Sequence, residues 1–90
     1  MREITETNKF KKEFKLMLKR GKDQKKLQKV LELLVYEKPL PSSYKDHRLV
    51  GSYIGSRELH IEPDWLLVYR LSGNKVILER VGTHSDLFKK

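Results

Sequence analysis

The spacing of apolar residues changes once along this chain, from a helical period to a strand period. In the first part, apolar side chains recur three and four positions apart, as on one face of an α-helix. From residue 57 onward they alternate or form short runs bounded by turn residues, as in β-strands. Because each helix has one apolar stripe and needs a surface to cover it, this order predicts an α+β fold. The helical positions are Phe10, Phe14, Met17, Leu18, Leu27, Val30, Leu31, Leu34 and Val35.

Capping residues divide the helical part into two helices. Thr7 or Asn8 can N-cap the first helix, and Gly21 suits its end. Asp23 can cap a second helix, which must stop before the prolines at 39 and 41 because proline cannot continue a helix. The sequence therefore predicts a helical hairpin.

Strand signals surround this hairpin. Residues 2–6 alternate weakly, and a long loop over residues 38–56 leads to the strand-rich part. The predicted order is β-α-α-β-β-β, with an antiparallel sheet packed against the N-terminal helical hairpin in a single domain, 1–90. The later strands are Arg57–Glu62, Trp65–Leu71 and Val76–Val81, with turns at Pro63-Asp64 and Ser72–Lys75.

The positive charge of the chain is concentrated in the predicted hairpin. The formal net charge is +8, and residues 7–30 alone hold ten Lys and Arg against Glu13 and Asp23, which is also +8. Such a surface attracts phosphate backbones or an acidic protein, although lysine-rich helices can also be merely solvated. We favour a polyanion-facing role for this surface, with Lys11, Lys15, Lys22 and Lys26 as phosphate anchors.

Two absences narrow the class of protein. There is no cysteine, which excludes disulfides, thiolate metal ligands and a cysteine nucleophile. The longest apolar runs are far shorter than the roughly 20 residues of a membrane span, and the N-terminus lacks a signal-peptide pattern. We expect a cytoplasmic domain without a membrane partner.

All three histidines lie in the second half of the chain, and each has a carboxylate within four positions. Histidine is the commonest general acid or base near neutral pH, and a neighbouring carboxylate can orient its ring. If the last strands are neighbours, these groups meet at one edge of the sheet. The groupings are Asp46 with His47, His60 with Glu62 and Asp64, and His84 with Asp86.

Other interpretations of these residues stay open at this point. His60 and Glu62 could hold a metal, but the chain has no H-x-x-x-H pair and a cationic background. Any single histidine could be an ordinary surface residue. Arg57 and Arg80 could clamp phosphate from strands, and Phe88 could stack on a base.

Three motifs in order, "YKDHRLVGSY", "RELHIEPDWLLVYRL" and "ERVGTHSDLF", resemble the YafQ group of the RelE/ParE toxin superfamily. The resemblance implies a RelE-like, microbial ribonuclease-like fold and a bacterial toxin of a type II toxin–antitoxin pair. Such toxins are ribosome-dependent mRNA endoribonucleases (mRNA interferases) that inhibit translation without a metal or other cofactor. Their partners are mRNA in the ribosomal A site, ribosomal RNA and a cognate acidic antitoxin.

The resemblance also implies which side chains form the site. The nucleophile is the RNA 2′-hydroxyl, so the protein must supply a base, an acid and positive charge at the phosphate. The implied catalytic residues are His47, His60, Asp64 and His84. The resemblance implies Phe88, Trp65 and Arg80 as substrate-binding residues. We add Lys45 and Arg57 to this set as basic residues of the second half of the chain.

Two other classes compete with the nuclease. ParE-type relatives on the same fold poison DNA gyrase without cutting RNA, and they generally lack the histidine set. A plain nucleic-acid-binding module would account for the charge alone. The three histidines favour the nuclease over both.

Overall fold

The computed structural model describes residues 1–51 and 54–88 and has the predicted α+β class. Ser52 and Tyr53, which end the first quoted motif, lie outside the described residues. A 3-10 turn, Ser42–Tyr44, follows the helical hairpin. The other elements are β1 (Glu3–Glu6), α1 (Asn8–Lys19), α2 (Gln24–Val35), β2 (His47–Arg48), β3 (Arg57–Glu62), β4 (Trp65–Ser72), β5 (Lys75–Gly82) and α3 (His84–Leu87).

The helix ends lie where the capping residues predict them. The Thr7 hydroxyl accepts a hydrogen bond from the Phe10 amide, and the Asp23 carboxylate accepts one from the Lys25 amide. Gly21 follows α1 with φ of +87°, a left-handed conformation that glycine adopts without a steric penalty. These local signals separate one basic, amphipathic segment into two helices.

The five strands form one sheet in the order β1-β5-β4-β3-β2. Strands β2 to β5 are antiparallel to their neighbours, whereas β1 runs parallel to β5. The sheet is therefore mixed, and it differs in this one strand from the antiparallel arrangement expected. Because β1 and β5 are far apart in sequence, their relative direction is not set by a local turn. The two-residue β2 lies inside the predicted loop and was not predicted.

The hydrophobic core lies between one face of the sheet and the helical hairpin. Trp65, Leu67 and Tyr69 alternate along β4 and are buried against the helices. The intervening residues, Leu66 and Val68, point to the opposite face and form a second, smaller cluster. Within the described part of the chain, this second face carries α3 but no long helix, so it stays accessible over part of its area.

Helix α1 covers the edge of β5 that β1 leaves free. The Thr7 amide donates to the Leu78 carbonyl (3.1 Å), and the Thr7 hydroxyl donates to the Glu79 carbonyl (2.9 Å). Farther along, the Val81 amide donates to the Glu13 carboxylate at 3.2 Å. The Thr7 amide and the side chains of Thr7 and Glu13 thus satisfy backbone groups that a strand would otherwise pair. None of the described helices is long and apolar enough to cross a bilayer.

Candidate active site

The three histidines meet on the face of the sheet opposite the helical hairpin. His47 lies on β2, His60 near the end of β3, and His84 at the start of α3. The ring centroids of His47 and His60 are 6.3 Å apart, and those of His60 and His84 are 5.6 Å apart. Residues far apart in sequence are therefore neighbours, as the predicted strand pairing requires.

Asp64 orients His84 through two contacts. Its Oδ1 accepts hydrogen bonds from the His84 amide at 2.9 Å and from the His84 ring Nδ1 at 2.6 Å. The same two bonds, the amide first, lower the pKa of the Asp64 carboxyl below its ordinary value. Because Nδ1 donates to an ionised carboxylate, Nε2 of the neutral ring is free to accept a proton.

His47 and His60 are each oriented by a backbone carbonyl. His47 Nδ1 lies 2.8 Å from the Lys45 carbonyl, and His60 Nδ1 lies 3.3 Å from the Pro63 carbonyl. Carbonyl oxygens only accept, so Nδ1 carries the proton in both rings. Lys45 has a left-handed backbone, with φ of +50°, which directs its carbonyl toward the ring.

Glu58 completes this group and was not among the predicted site residues. Its Oε1 lies 3.5 Å from His47 Nε2 and 3.7 Å from His60 Nε2, and its side chain is only 7% exposed. Strand alternation places residues 58 and 60 on one face of the sheet, which is the signal that could have identified it. Burial of the carboxylate could not be read from that pattern.

The short helix α3 is anchored on both sides. Thr83 and Asp86 form a capping box, and the Asp86 carboxylate also accepts a hydrogen bond from Arg20 at 2.8 Å. The Arg20 hydrogen bond is the main cause that lowers the Asp86 pKa to about 2. Gly82 allows the close approach, because a Cβ at this position would lie 2.9 Å from the Asp86 Cβ. These contacts fix the position of His84.

Arg80 and Phe88 lie beside α3. The Arg80 guanidinium is paired with Glu13 (Nη2 to Oε2, 2.5 Å) and also donates to the Leu87 carbonyl at 3.4 Å. Phe88 is half-buried and packs against the small cluster on this face of the sheet. Both residues contact the helix that carries His84, but Arg80 would have to share its charge between Glu13 and any phosphate.

Two predicted substrate-binding residues are not brought into the site. Arg57 points to the helix side of β3, where it pairs with Asp46, which also accepts a hydrogen bond from the Tyr69 hydroxyl. Trp65 is 0% exposed and belongs to the core, so it has no surface on which a base could stack. In both cases strand alternation directs the side chain to the buried face.

The predicted lysines differ in their surroundings. Lys11 and Lys15 are exposed on α1. Lys22 and Lys26 pair with Glu62 (3.3 and 2.6 Å), next to the turn that carries Asp64. These two ion pairs, chiefly the hydrogen bond from Lys26, lower the pKa of Glu62. The basic hairpin is thus continuous with the edge of the site.

A shallow depression of about 400 Å³ opens beside His60 and is lined in part by Tyr44, Lys45 and Pro63. Lys45 is exposed at its rim, in a position to contact a bound polyanion. Within residues 1–51 and 54–88, no three His, Asp or Glu side chains have the geometry of a metal site. The Asp64–His84 pair and the oriented rings of His47 and His60 have the geometry for proton transfer and for stabilising charge.

Comparison with known proteins identifies the family to which this chain belongs. The family model described as "Bacterial toxin of type II toxin-antitoxin system, YafQ" matches residues 2–89. The chain belongs to the YafQ toxin family. The resemblance stated from the three motifs is thereby confirmed.

Relatives of the YafQ family are similar in sequence and in structure. The mRNA interferase toxin YafQ of Escherichia coli (strain K12) is 46% identical over 88 residues, covering 97% of this chain and 96% of that protein. The E. coli DinJ-YafQ toxin-antitoxin complex contains a chain that is 45% identical, with a TM-score of 0.89 and 97% of each chain covered. A metal-bound toxin from Helicobacter pylori is 44% identical, with a TM-score of 0.91, covering 98% of this chain and 100% of that chain.

Proposed function

We propose that this protein is an mRNA interferase, an endoribonuclease toxin of a type II toxin–antitoxin pair. The observation that carries the proposal is the Asp64–His84 pair, which lies beside His60 on the accessible face of the sheet. YafQ family membership and the name of the E. coli relative support the same activity. A ParE-like gyrase poison or a plain binding module would have no use for oriented histidines, and neither is favoured.

Cleavage would use the RNA 2′-hydroxyl as nucleophile. His84 is oriented with Nε2 free, so we assign it as the base that removes the 2′-hydroxyl proton. His60 and His47, across the cleft, would protonate the leaving 5′-oxygen and oppose the phosphate charge. Lys45 and Arg80 would add positive charge, and Phe88 would stack on a base.

The partners follow from the charge distribution and from the relatives. The exposed lysines of the hairpin would bind ribosomal RNA and so bring the histidines to mRNA in the A site, in the cytoplasm. A cognate acidic antitoxin would bind the toxin and block its activity. The E. coli relative in complex with DinJ supports a protein antitoxin for this chain.

The deciding experiment maps mRNA 5′ ends after incubation with translating ribosomes. New 5′ ends inside codons, absent without ribosomes and absent with the His84→Ala variant, are the expected result. A gyrase poison would leave mRNA intact but would trap cleaved supercoiled DNA. Binding without any new RNA end would leave only a binding module and would overturn the proposal.

The product ends and chelation test the metal-free reaction. Attack by the 2′-hydroxyl leaves a 2′,3′-cyclic phosphate or 3′-phosphate on the upstream fragment. A chelator that is selective for Zn²⁺ and Cu²⁺, and leaves the ribosomal Mg²⁺ in place, should not slow the cleavage. The metal-bound H. pylori relative makes this control necessary. Loss of cleavage on removal of trace Zn²⁺ or Cu²⁺ with a selective chelator, and recovery on adding the ion back, would contradict metal-free chemistry.

A further inference from the structure

We propose that Asp46, Arg57 and Tyr69 form a positioning network that sets the place of His47 in the site from the opposite face of the sheet. The inference rests on the proposed nuclease function and adds residues to it that lie away from the active face. Asp46 precedes His47 in the chain, and the sequence suggests that its carboxylate orients the neighbouring ring. In the structure, this carboxylate contacts side chains on the helix side of the sheet, whereas the ring lies on the other face.

Both oxygens of the Asp46 carboxylate accept hydrogen bonds. Oδ2 accepts from Arg57 Nε at 3.0 Å and from Arg57 Nη2 at 2.5 Å, and Oδ1 accepts from the Tyr69 hydroxyl at 2.5 Å. Arg57 and Tyr69 lie directly opposite each other on β3 and β4, so both donors come from one cross-strand pair. Burial, and then the Asp46 carboxylate, raise the pKa of Tyr69, so its hydroxyl stays protonated and donates. The carboxylate is therefore held in place by the centre of the sheet.

The segment that carries His47 is short and includes a strained residue. β2 has only two residues and is the outermost strand on its side of the sheet. Directly before it, Lys45 has φ of +50°, which is unfavourable for a residue with a Cβ and persists only where the surrounding contacts impose it. Asp46 lies between these two features. Its three hydrogen bonds tie the turn to β3 and β4.

Fixing this turn also fixes the His47 ring. Nδ1 of the ring lies 2.8 Å from the Lys45 carbonyl, so the acceptor belongs to the turn that Asp46 anchors. A displaced turn would move the ring and its acceptor together relative to His60, whose ring centroid is 6.3 Å away. A catalytic group misplaced by about 1 Å can reduce the rate about 100-fold. The network thus acts through His47 and does not touch the reacting phosphate.

The kinetic test uses two conservative substitutions in the ribosomal cleavage assay. Tyr69→Phe deletes one hydroxyl and keeps the ring in the core, whereas Asp46→Asn keeps the shape and removes the charge that Arg57 pairs with. Because a misplaced group stabilises the transition state less, kcat should fall about 3- to 10-fold for Tyr69→Phe and about 10- to 50-fold for Asp46→Asn, with KM nearly unchanged. The matched controls are Tyr36→Phe, at an exposed tyrosine, and Glu37→Gln, at a carboxylate paired with another arginine. Both should stay within about two-fold of wild type.

The same substitutions in a His47→Ala background separate positioning from folding. If the network acts through His47, Tyr69→Phe and Asp46→Asn should cause little additional loss of rate there. A substitution that only destabilises the fold would reduce the rate by the same factor in both backgrounds, and this result would overturn the inference. A kcat equal to that of wild type in both single variants would also overturn it.

Histidine NMR tests the positioning without using activity. At a pH where the rings are neutral, the ring nitrogen shifts of His47 in the wild-type protein should show the Nδ1–H tautomer that the Lys45 carbonyl requires. Asp46→Asn should move His47 toward a mixture of tautomers and leave the tautomer of His84 unchanged. Identical His47 shifts in Asp46→Asn and wild type would overturn the inference. A changed His47 tautomer, together with no cleavage by the wild-type protein, would overturn only the nuclease function.

Discussion

At the residue scale, the contact between Asp64 and His84 does more than pair two charges. One carboxylate oxygen receives both the ring Nδ1 and the backbone amide of His84, so it fixes the ring and the start of α3 together. Both groups are exposed, with side-chain exposures of 65% and 53%, so the pair contributes little to stability. Its effect should therefore appear in catalysis.

Substitution of this pair gives the first prediction. His84→Ala and Asp64→Ala should each lower the cleavage rate about 100-fold or more, the contribution of one positioned proton-transfer group. Asp64→Asn, which can still accept the amide bond, should be less impaired than Asp64→Ala. Ser85→Ala, a neighbouring exposed position on α3, serves as the control. Rates within a few-fold of wild type in both alanine variants would remove the pair from the mechanism.

A site residue could be predicted from the sequence where strand alternation determines its position. His60 and Glu58 share a face by the two-residue period, and His84 follows the strand that pairs with β4. The partner of Arg80 could not be predicted, because Glu13 lies 67 positions away on α1 and reaches β5 only through tertiary packing. The burial of Trp65 follows from the same alternation. Its place in the recognised motif suggested a substrate-binding role, but the alternation puts its side chain in the core.

At the element scale, α3 is short and depends on contacts outside itself. A four-residue helix has no stability of its own. The Arg20–Asp86 ion pair connects it to the end of α1, and the capping box closes its first turn. The sequence indicates the turn of helix but not the residue that anchors it. Arg20 lies in the basic segment, and no sequence pattern distinguishes it from the lysines around it.

Removing that anchor is the second prediction. Arg20→Met keeps the apolar stem and deletes the charge, so α3 should open more often while the core stays intact. Hydrogen exchange at the Leu87 and Phe88 amides, which bond within α3, should accelerate, and cleavage should fall several-fold. Lys19→Met, the adjacent exposed cation, is the matched control. Unchanged exchange at both amides would show that the capping box alone holds the helix.

The pKa of Asp86 gives this anchor a pH dependence. The pKa is lowered from 3.8 to about 2, chiefly by the Arg20 hydrogen bond. A group with a lowered folded pKa stabilises above its unfolded pKa and loses that contribution as the pH falls toward the folded value. Protection of the α3 amides should therefore be constant above about pH 5 and decline between about pH 4 and pH 2. Arg20→Met should shift this decline to higher pH, and a decline at the same pH in both proteins would contradict the assignment.

At the scale of the whole molecule, the charge is divided between a basic helical hairpin and a balanced sheet. The hairpin carries the entire excess of +8, counted over residues 7–30, while the remaining residues balance. Fold class and this asymmetry were both readable from sequence, since each depends on composition and period. The direction of β1 could not be predicted from the sequence, because it is set by packing between the two ends of the chain.

The surroundings of the hairpin lysines predict how much each pair should contribute to ribosome binding. Lys11→Gln/Lys15→Gln should lower the log–log salt slope of ribosome binding by about 0.7–0.9 for each phosphate that is no longer neutralised. Lys22→Gln/Lys26→Gln should have a smaller effect, because Glu62 already shares their charge. Lys38→Gln/Lys75→Gln, an equal change in charge outside the hairpin, is the control. Equal slopes in all three variants would mean that net charge alone, with no particular surface, drives binding.

The parallel pairing of β1 with β5 has a consequence for the order of folding. The hairpins β3-β4 and β4-β5 join strands through short connections and can form early, whereas β1 must close a loop of about 70 residues before it gains any pairing. The solvent-exposed β1 should therefore add late, after the folding barrier is crossed. Weakening β1 at Ile4 should then accelerate unfolding and leave the folding rate nearly unchanged, so the lifetime of the active toxin depends on a strand far from its histidines.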